Sequence, residues 1–177
     1  AARSCARPCR SASASAEALR LLRARRPELQ PAIAVAPGLD AASFDAALQG
    51  LPVTLIRGQA HALMGAANAG IVASGTATVE AALLDLASVV VYRVSPVSYA
   101  LGRPFVDVPH YAMANLIAGR RVLKELIQGQ FEPVAVAEEI GRLLDDPAHR
   151  ASVHAGLAEV RAALGGSGAS SRAAEAV

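Results

Sequence analysis

Short apolar runs alternate with helical stretches through most of this chain. "AIAVA" at residues 32–36, "VTLI" at 53–56, "AGIVA" at 69–73 and "SVVVYR" at 88–93 are compact runs without polar alternation. Runs of that kind suit strands buried on both faces of a sheet. Between them lie segments with helical spacing: residues 40–48, where Asp40 is placed as a cap, then "AHALMGAAN", then "TATVEAALLDL". Strands separated by helices of about ten residues imply right-handed crossovers between parallel neighbours. The pattern therefore predicts an α/β fold built on a doubly wound parallel sheet.

Ahead of the first run, "AEALRLLRARR" reads as a helix stopped by Pro27. Beyond Arg93, further helices are predicted at residues 97–103, 116–127, 133–145 and 147–164. Three parts follow: an irregular or misread segment at 1–16, one domain at 17–164, and a flexible joint with a tail helix at 165–177. The first segment, "AARSCARPCRSASASA", has the Arg-rich, Ser-rich, acid-poor composition of a transit peptide but no amphipathic period, so it reads as an irregular end. "GGSG" at 165–168 follows a helix and leads into no strand, which makes it a linker and not a phosphate loop.

Composition narrows the picture further. With 177 residues and 53% hydrophobic content, one well-buried domain is expected, and with only 3% aromatics its core must be filled by Ala, Val and Leu. A net charge of +2, with Arg gathered at the amino end and not interleaved with aromatics, argues against nucleic acid as a partner. No apolar run approaches the length of a membrane-spanning helix. Cys5 and Cys9 find no second Cys or His pair to complete a zinc set, so no metal and no cofactor is predicted, and the compartment reads as reducing.

The chemistry concentrates at "ASGTATVEAALL", residues 73–84. Ligands of open parallel sheets bind beyond the carboxyl ends of the strands. There Gly75 permits a sharp turn and close approach, and the amides after Thr76 can face an anion such as phosphate. The plainer alternative is that Ser74 or Thr76 caps the helix. Glu80 stands one residue too late for a reciprocal capping box with Thr76; it can accept hydrogen bonds from ribose hydroxyls, or simply favour the helix dipole. Asn115 reads as a helix cap or as an amide offered to a phosphate or sugar. Arg93 reads as a phosphate partner or a solvated strand end. His61 can reach the ligand mouth or pack, with no partner acid evident nearby in the sequence. His110, His149 and His154 show no metal-ligand spacing, and no hydrolytic triad stands out.

"GQAHALMGAANAGIVASGTATVEAALL", "VVVYRVSPVSYALGR" and "VPHYAMANLIAGRRVLKELIQ" resemble, in that order and spacing, the carboxyl-terminal half of bacterial lipid-A-disaccharide synthases. The resemblance implies the Rossmann-like donor domain of a GT-B glycosyltransferase. It implies an inverting transfer of 2,3-diacylglucosamine from UDP to 2,3-diacylglucosamine 1-phosphate, without metal. In that likeness, the Ser74-Gly75-Thr76 backbone holds the UDP phosphates, Glu80 the ribose, and Asn115 with Gly119 faces the donor. UDP-2,3-diacylglucosamine or UDP is the implied ligand, the lipid acceptor being held by an amino-terminal domain. The implied place of work is cytoplasmic, peripheral at the inner membrane.

The chain also departs from that family. "PCRSASASA" stands where a Leu-Pro-Gly-Ser-Arg loop is expected, Ala87-Ser88 where a Pro usually precedes the valine strand, and Ala114 where a Pro precedes Asn115. With no acceptor domain and no catalytic residue assigned here, the chain is expected to be inactive alone. The alternative is a non-catalytic nucleotide-binding or self-associating remnant, a possible homo-oligomer. An epimerase of UDP-N-acetylglucosamine shares the architecture, but "ANLIAGR" and "GQAH" fit the synthase better.

Overall fold

The computed structural model describes residues 10–39, 42–94, 109–165 and 174. Helix α1 (Arg10–Arg25) leads into β1 (Ala32–Val35), α2 (Ala42–Leu48), β2 (Thr54–Arg57), α3 (Ala60–Ala66), β3 (Gly70–Ala73), α4 (Ala77–Leu83) and β4 (Ser88–Tyr92). Then come α5 (Met113–Ala118), β5 (Lys124–Ile127), a 3-10 turn (Gln128–Gln130), α6 (Pro133–Asp145) and α7 (Pro147–Leu164). Asp40, the helix expected at 97–103 and the Gly/Ser joint from Gly166 onward lie outside the described residues.

Every strand pair is parallel, as the short unbroken apolar runs predict. The hydrogen-bonded ladder falls into two groups: β1 with β2, and β3, β4, β5 in that order. The chain winds from β1 out to β2, returns through α3, and winds again from β3 to β5. Among the described residues, β1, β2, β3 and β5 each have one edge that takes no strand, and only β4 has a neighbour on both sides.

The core gathers around β4. Ser88, Val89, Val90 and Val91 are all buried, and Phe131, Leu123, Leu143 and Leu157 pack with them at essentially zero exposure. On one side α1 lays Ala14, Ala18 and Leu22 against Val136, Ala137, Ile140 and Leu143 of α6. α7 approaches through Gly156, where an added Cβ would stand 2.5 Å from Val122 Cγ1, so only glycine fits so close a crossing.

Two expectations are corrected. Residues 10–16, read as irregular, are the first two turns of α1. Ala14 and Ala18 extend the Leu22 stripe at four-residue steps, and their small side chains let α1 settle closely on α6. The helix expected over 116–127 ends at Ala118, because Gly119 adopts φ 65° and its N–H closes onto Leu116 O. Residues 124–127 are instead β5, pairing with β4 from Val89↔Lys124 to Tyr92↔Ile127. The helices at 133–145 and 147–164 form with the expected bounds: Pro133 and Pro147 open them, and the Asp146 carboxylate accepts from His149 N–H at 2.9 Å.

Candidate functional site

At the carboxyl ends of β1 and β2 opens a cleft of about 540 Å³, lined by Ala34, Val35, Pro37, Gly58, Gln59 and His61 among others. The turn after β3 lies at the equivalent end of the second strand group. Ser74 N–H makes the last ladder bond there, to Val91 O, and its hydroxyl donates to Tyr111 O at 2.6 Å. Gly75 has φ +136° with open space where a Cβ would stand, a conformation L residues rarely adopt.

Thr76 stands at the N-cap position of α4, but its hydroxyl makes no capping bond, and the Ser74 hydroxyl is turned to Tyr111 O instead. Buried Thr78 instead donates its hydroxyl to Gly75 O at 2.8 Å, locking the turn from inside. The amides of Thr78, Val79 and Glu80 close onto Gly75 O and Thr76 O. Among the described residues, no backbone carbonyl accepts from the amides of Thr76 or Ala77. Those two donors, at the positive end of α4, are what an anion could take.

Glu80 stands one turn further along α4, half-exposed, with its Oε2 3.0 Å from His61 Nε2. The partner acid that was not evident for His61 in the sequence is thus supplied across 19 residues, from α4 to α3. This pair links the cleft below β1 and β2 to the turn after β3.

Asn115 and Gly119 do not join them. Asn115 is fully buried inside α5, and its amide is saturated: Nδ2 donates to Leu123 O and Glu125 Oε1, each at 2.8 Å, while Oδ1 accepts from the amides of Val122 and Leu123. It therefore neither caps a helix nor offers an amide to a ligand; it pins the turn between α5 and β5. Gly119 ends α5 in the left-handed conformation, and that is its structural task. Arg93 is half-buried, stacked 4.9 Å over the Phe131 ring, and donates to the carbonyls of Gln128 and Phe131. It is neither a solvated strand end nor a guanidinium turned to a phosphate.

The residue that sequence reasoning missed is Glu125. Buried in β5, its carboxylate accepts from Tyr111 N–H at 3.1 Å, Ala112 N–H at 2.8 Å and the Asn115 amide, at the amino end of α5. A carboxylate so placed satisfies the amides that lead into α5 and sits at the positive end of its dipole. The only sign of it in the sequence was an acid inside the apolar run "VLKELI". Its consequence reaches the site: Glu125 fixes Tyr111, and Tyr111 O receives the Ser74 hydroxyl.

Elsewhere, Asp85 in the left-handed region (φ 57°) binds Arg161 and His154 at 2.8 and 3.0 Å. Burial pushes its carboxyl up, but the bonds from Arg161 and His154 outweigh this and hold it below the ordinary range. Glu139, buried on α6, meets His149 Nε2 at 2.8 Å and Lys124 Nζ at 3.4 Å. Among the described residues, no helix is long and apolar enough to cross a membrane.

Comparison with known proteins fits this arrangement. The family model described as "Lipid-A-disaccharide synthetase" matches residues 20–176. A lipid-A-disaccharide synthase of Myxococcus xanthus (strain DK1622) is 44% identical over 163 residues, 91% of this chain and 43% of the relative. One from Acidobacterium capsulatum is 51% identical over 132 residues, 75% of this chain and 33% of the relative. One from Geobacter metallireducens is 40% identical over 160 residues, 89% and 42% respectively. The chain thus spans about two fifths of the length of these relatives at most. With the family model covering nearly all of its folded length, this chain belongs to the lipid-A-disaccharide synthetase family.

Proposed function

We propose that this chain is the sugar-nucleotide side of an inverting glycosyltransferase of lipid A biosynthesis. The donor is UDP-2,3-diacylglucosamine, the acceptor 2,3-diacylglucosamine 1-phosphate, and the products are the lipid A disaccharide 1-phosphate and UDP. The observation that carries this reading is the turn after β3: Gly75 at positive φ, two amides without carbonyl partners among the described residues, and Glu80 one turn on.

In this reading the amides of Thr76 and Ala77 hold phosphate oxygens of the UDP group, and Glu80 accepts hydrogen bonds from the ribose hydroxyls. The acceptor hydroxyl attacks the anomeric carbon, the bond from that carbon to the diphosphate oxygen breaks, and the electron pair leaves with UDP. Donors already fixed at the turn stabilise the charge that grows on the leaving diphosphate. The hydroxyl proton goes to a base outside this chain, for no group here is assigned that role. A span of about two fifths of the relatives supports giving the chain one side of a two-substrate reaction. The whole enzyme then works at the cytoplasmic face of the inner membrane, with the lipid acceptor held by the remaining part.

Calorimetric titration with UDP, using CMP as the control, tests the reading. Saturable binding of UDP over CMP is expected, with Glu80→Ala weakening it about ten- to a hundredfold, as loss of hydrogen bonds to a charged acceptor implies. Equal affinity in mutant and parent would remove Glu80 from the ribose. A second reading, a self-associating remnant, draws on the strand edges that take no partner among the described residues. A sedimentation coefficient that rises with concentration and ignores UDP would favour it.

A further inference from the structure

The contact between His61 and Glu80 joins two parts of the molecule that share no strand pairing. His61 is on the first turn of α3, at the rim of the cleft beneath β1 and β2; Glu80 is on α4, which follows β3. Both are accessible, with side-chain exposures of 72% and 39%, so this hydrogen bond forms at the mouth and not in the core.

A glutamate at such a place has several rotatable bonds and two equivalent oxygens, and left free it samples many positions. A ribose diol requires one carboxylate held still, because two neighbouring hydroxyls must meet its oxygens at once. His61 Nε2 at 3.0 Å fixes Oε2 and leaves Oε1 unengaged among the described contacts. No other side chain holds the Glu80 carboxylate among the described hydrogen bonds and ion pairs. We propose that His61 is a positioning residue: it orients Glu80 for the ribose diol and so sets the preference for a ribonucleotide over a deoxyribonucleotide ligand. This rests on the assignment of Glu80 to the ribose made above.

The role differs from stability, because His61 is exposed and its removal leaves no buried group unpaired. It also differs from direct binding, because the imidazole acts through the carboxylate. Ordering a flexible group before the ligand arrives lowers the entropy lost on binding. A neutral donor such as Gln can perform the same task.

The test is calorimetric titration of the parent chain, His61→Ala, His61→Gln, Glu80→Ala and the double variant His61→Ala/Glu80→Ala with UDP and with 2′-deoxy-UDP. His61→Ala should bind UDP about three- to tenfold more weakly than the parent while its affinity for 2′-deoxy-UDP stays the same, and His61→Gln should restore most of the loss. In the Glu80→Ala background the His61 substitution should add nothing. Equal losses for both nucleotides, or a further loss in the double variant, would overturn the positioning role while leaving Glu80 on the ribose. UDP affinity unchanged in Glu80→Ala would overturn the ribose assignment and this inference with it. So would a parent chain that binds no UDP.

Discussion

The two strand groups of this molecule are built from similar sequence and end up in different circumstances. "SVVVY" in β4 is flanked by β3 and β5 and covered by helices, and Ser88 to Val91 are all buried. "TLIR" in β2 has one neighbour, and none of its four residues is buried. Apolar character puts a run into a strand; the number of neighbours decides how much that strand contributes. A two-stranded sheet is marginal by itself, whereas three strands between helices make a core. The better-packed half contains Asn115 and Glu125, which support the Ser74 turn. The thinner half contributes the cleft and His61.

That contrast is sharpest in paired truncations. Phe131→Ala, in the core behind β4, should lower stability by about 3–5 kcal/mol in urea unfolding, while Ile56→Ala in β2 should cost about 1 kcal/mol. Equal losses would mean that the two halves share one core after all. Asn115→Ala should follow at about 3 kcal/mol, since it leaves the amides of Val122 and Leu123 buried without their acceptor. A loss below about 1 kcal/mol would show that water replaces the side chain and that the α5–β5 turn is looser than it looks.

The smallest effect is at Asp85, where α7 reaches back to the end of α4 through Arg161. Its folded carboxyl lies below the ordinary range, the unfolded one near about 3.9. Its contribution is therefore fully present above about pH 4 and is lost as pH falls through the lower folded value. Asp85→Asn should destabilise at pH 6, and the difference from the parent should shrink as the pH falls below about 4. A difference that persists in acid would assign the effect to the left-handed backbone at this position and not to charge.

The four unbroken apolar runs were legible because short apolar stretches between helical segments suit parallel strands, and each lies within a residue or so of the strand observed, although only β4 is buried along most of its length. The bounds of α6 and α7 were legible because proline and a capping aspartate fix helix starts by local chemistry. β5 was not, since Lys124 and Glu125 look like a helix surface until the amides at the start of α5 are brought to the Glu125 carboxylate. The beginning of α1 was hidden by its own composition: "SASASA" reads as low complexity, and only the surface of α6 explains why alanine sits at 14 and 18. Within the candidate site, Gly75 and Glu80 could be picked out by position. The His61 contact could not, because it joins residues 19 apart on two different helices.

The packing of α1 on α6 also sets a timetable. Synthesis finishes α1 at Arg25 and does not begin α6 until Pro133. At about 5–20 residues per second, the first helix waits several seconds on the ribosome before its partner exists. During that interval the Ala14, Ala18 and Leu22 stripe is without the α6 surface that it packs against in the folded chain.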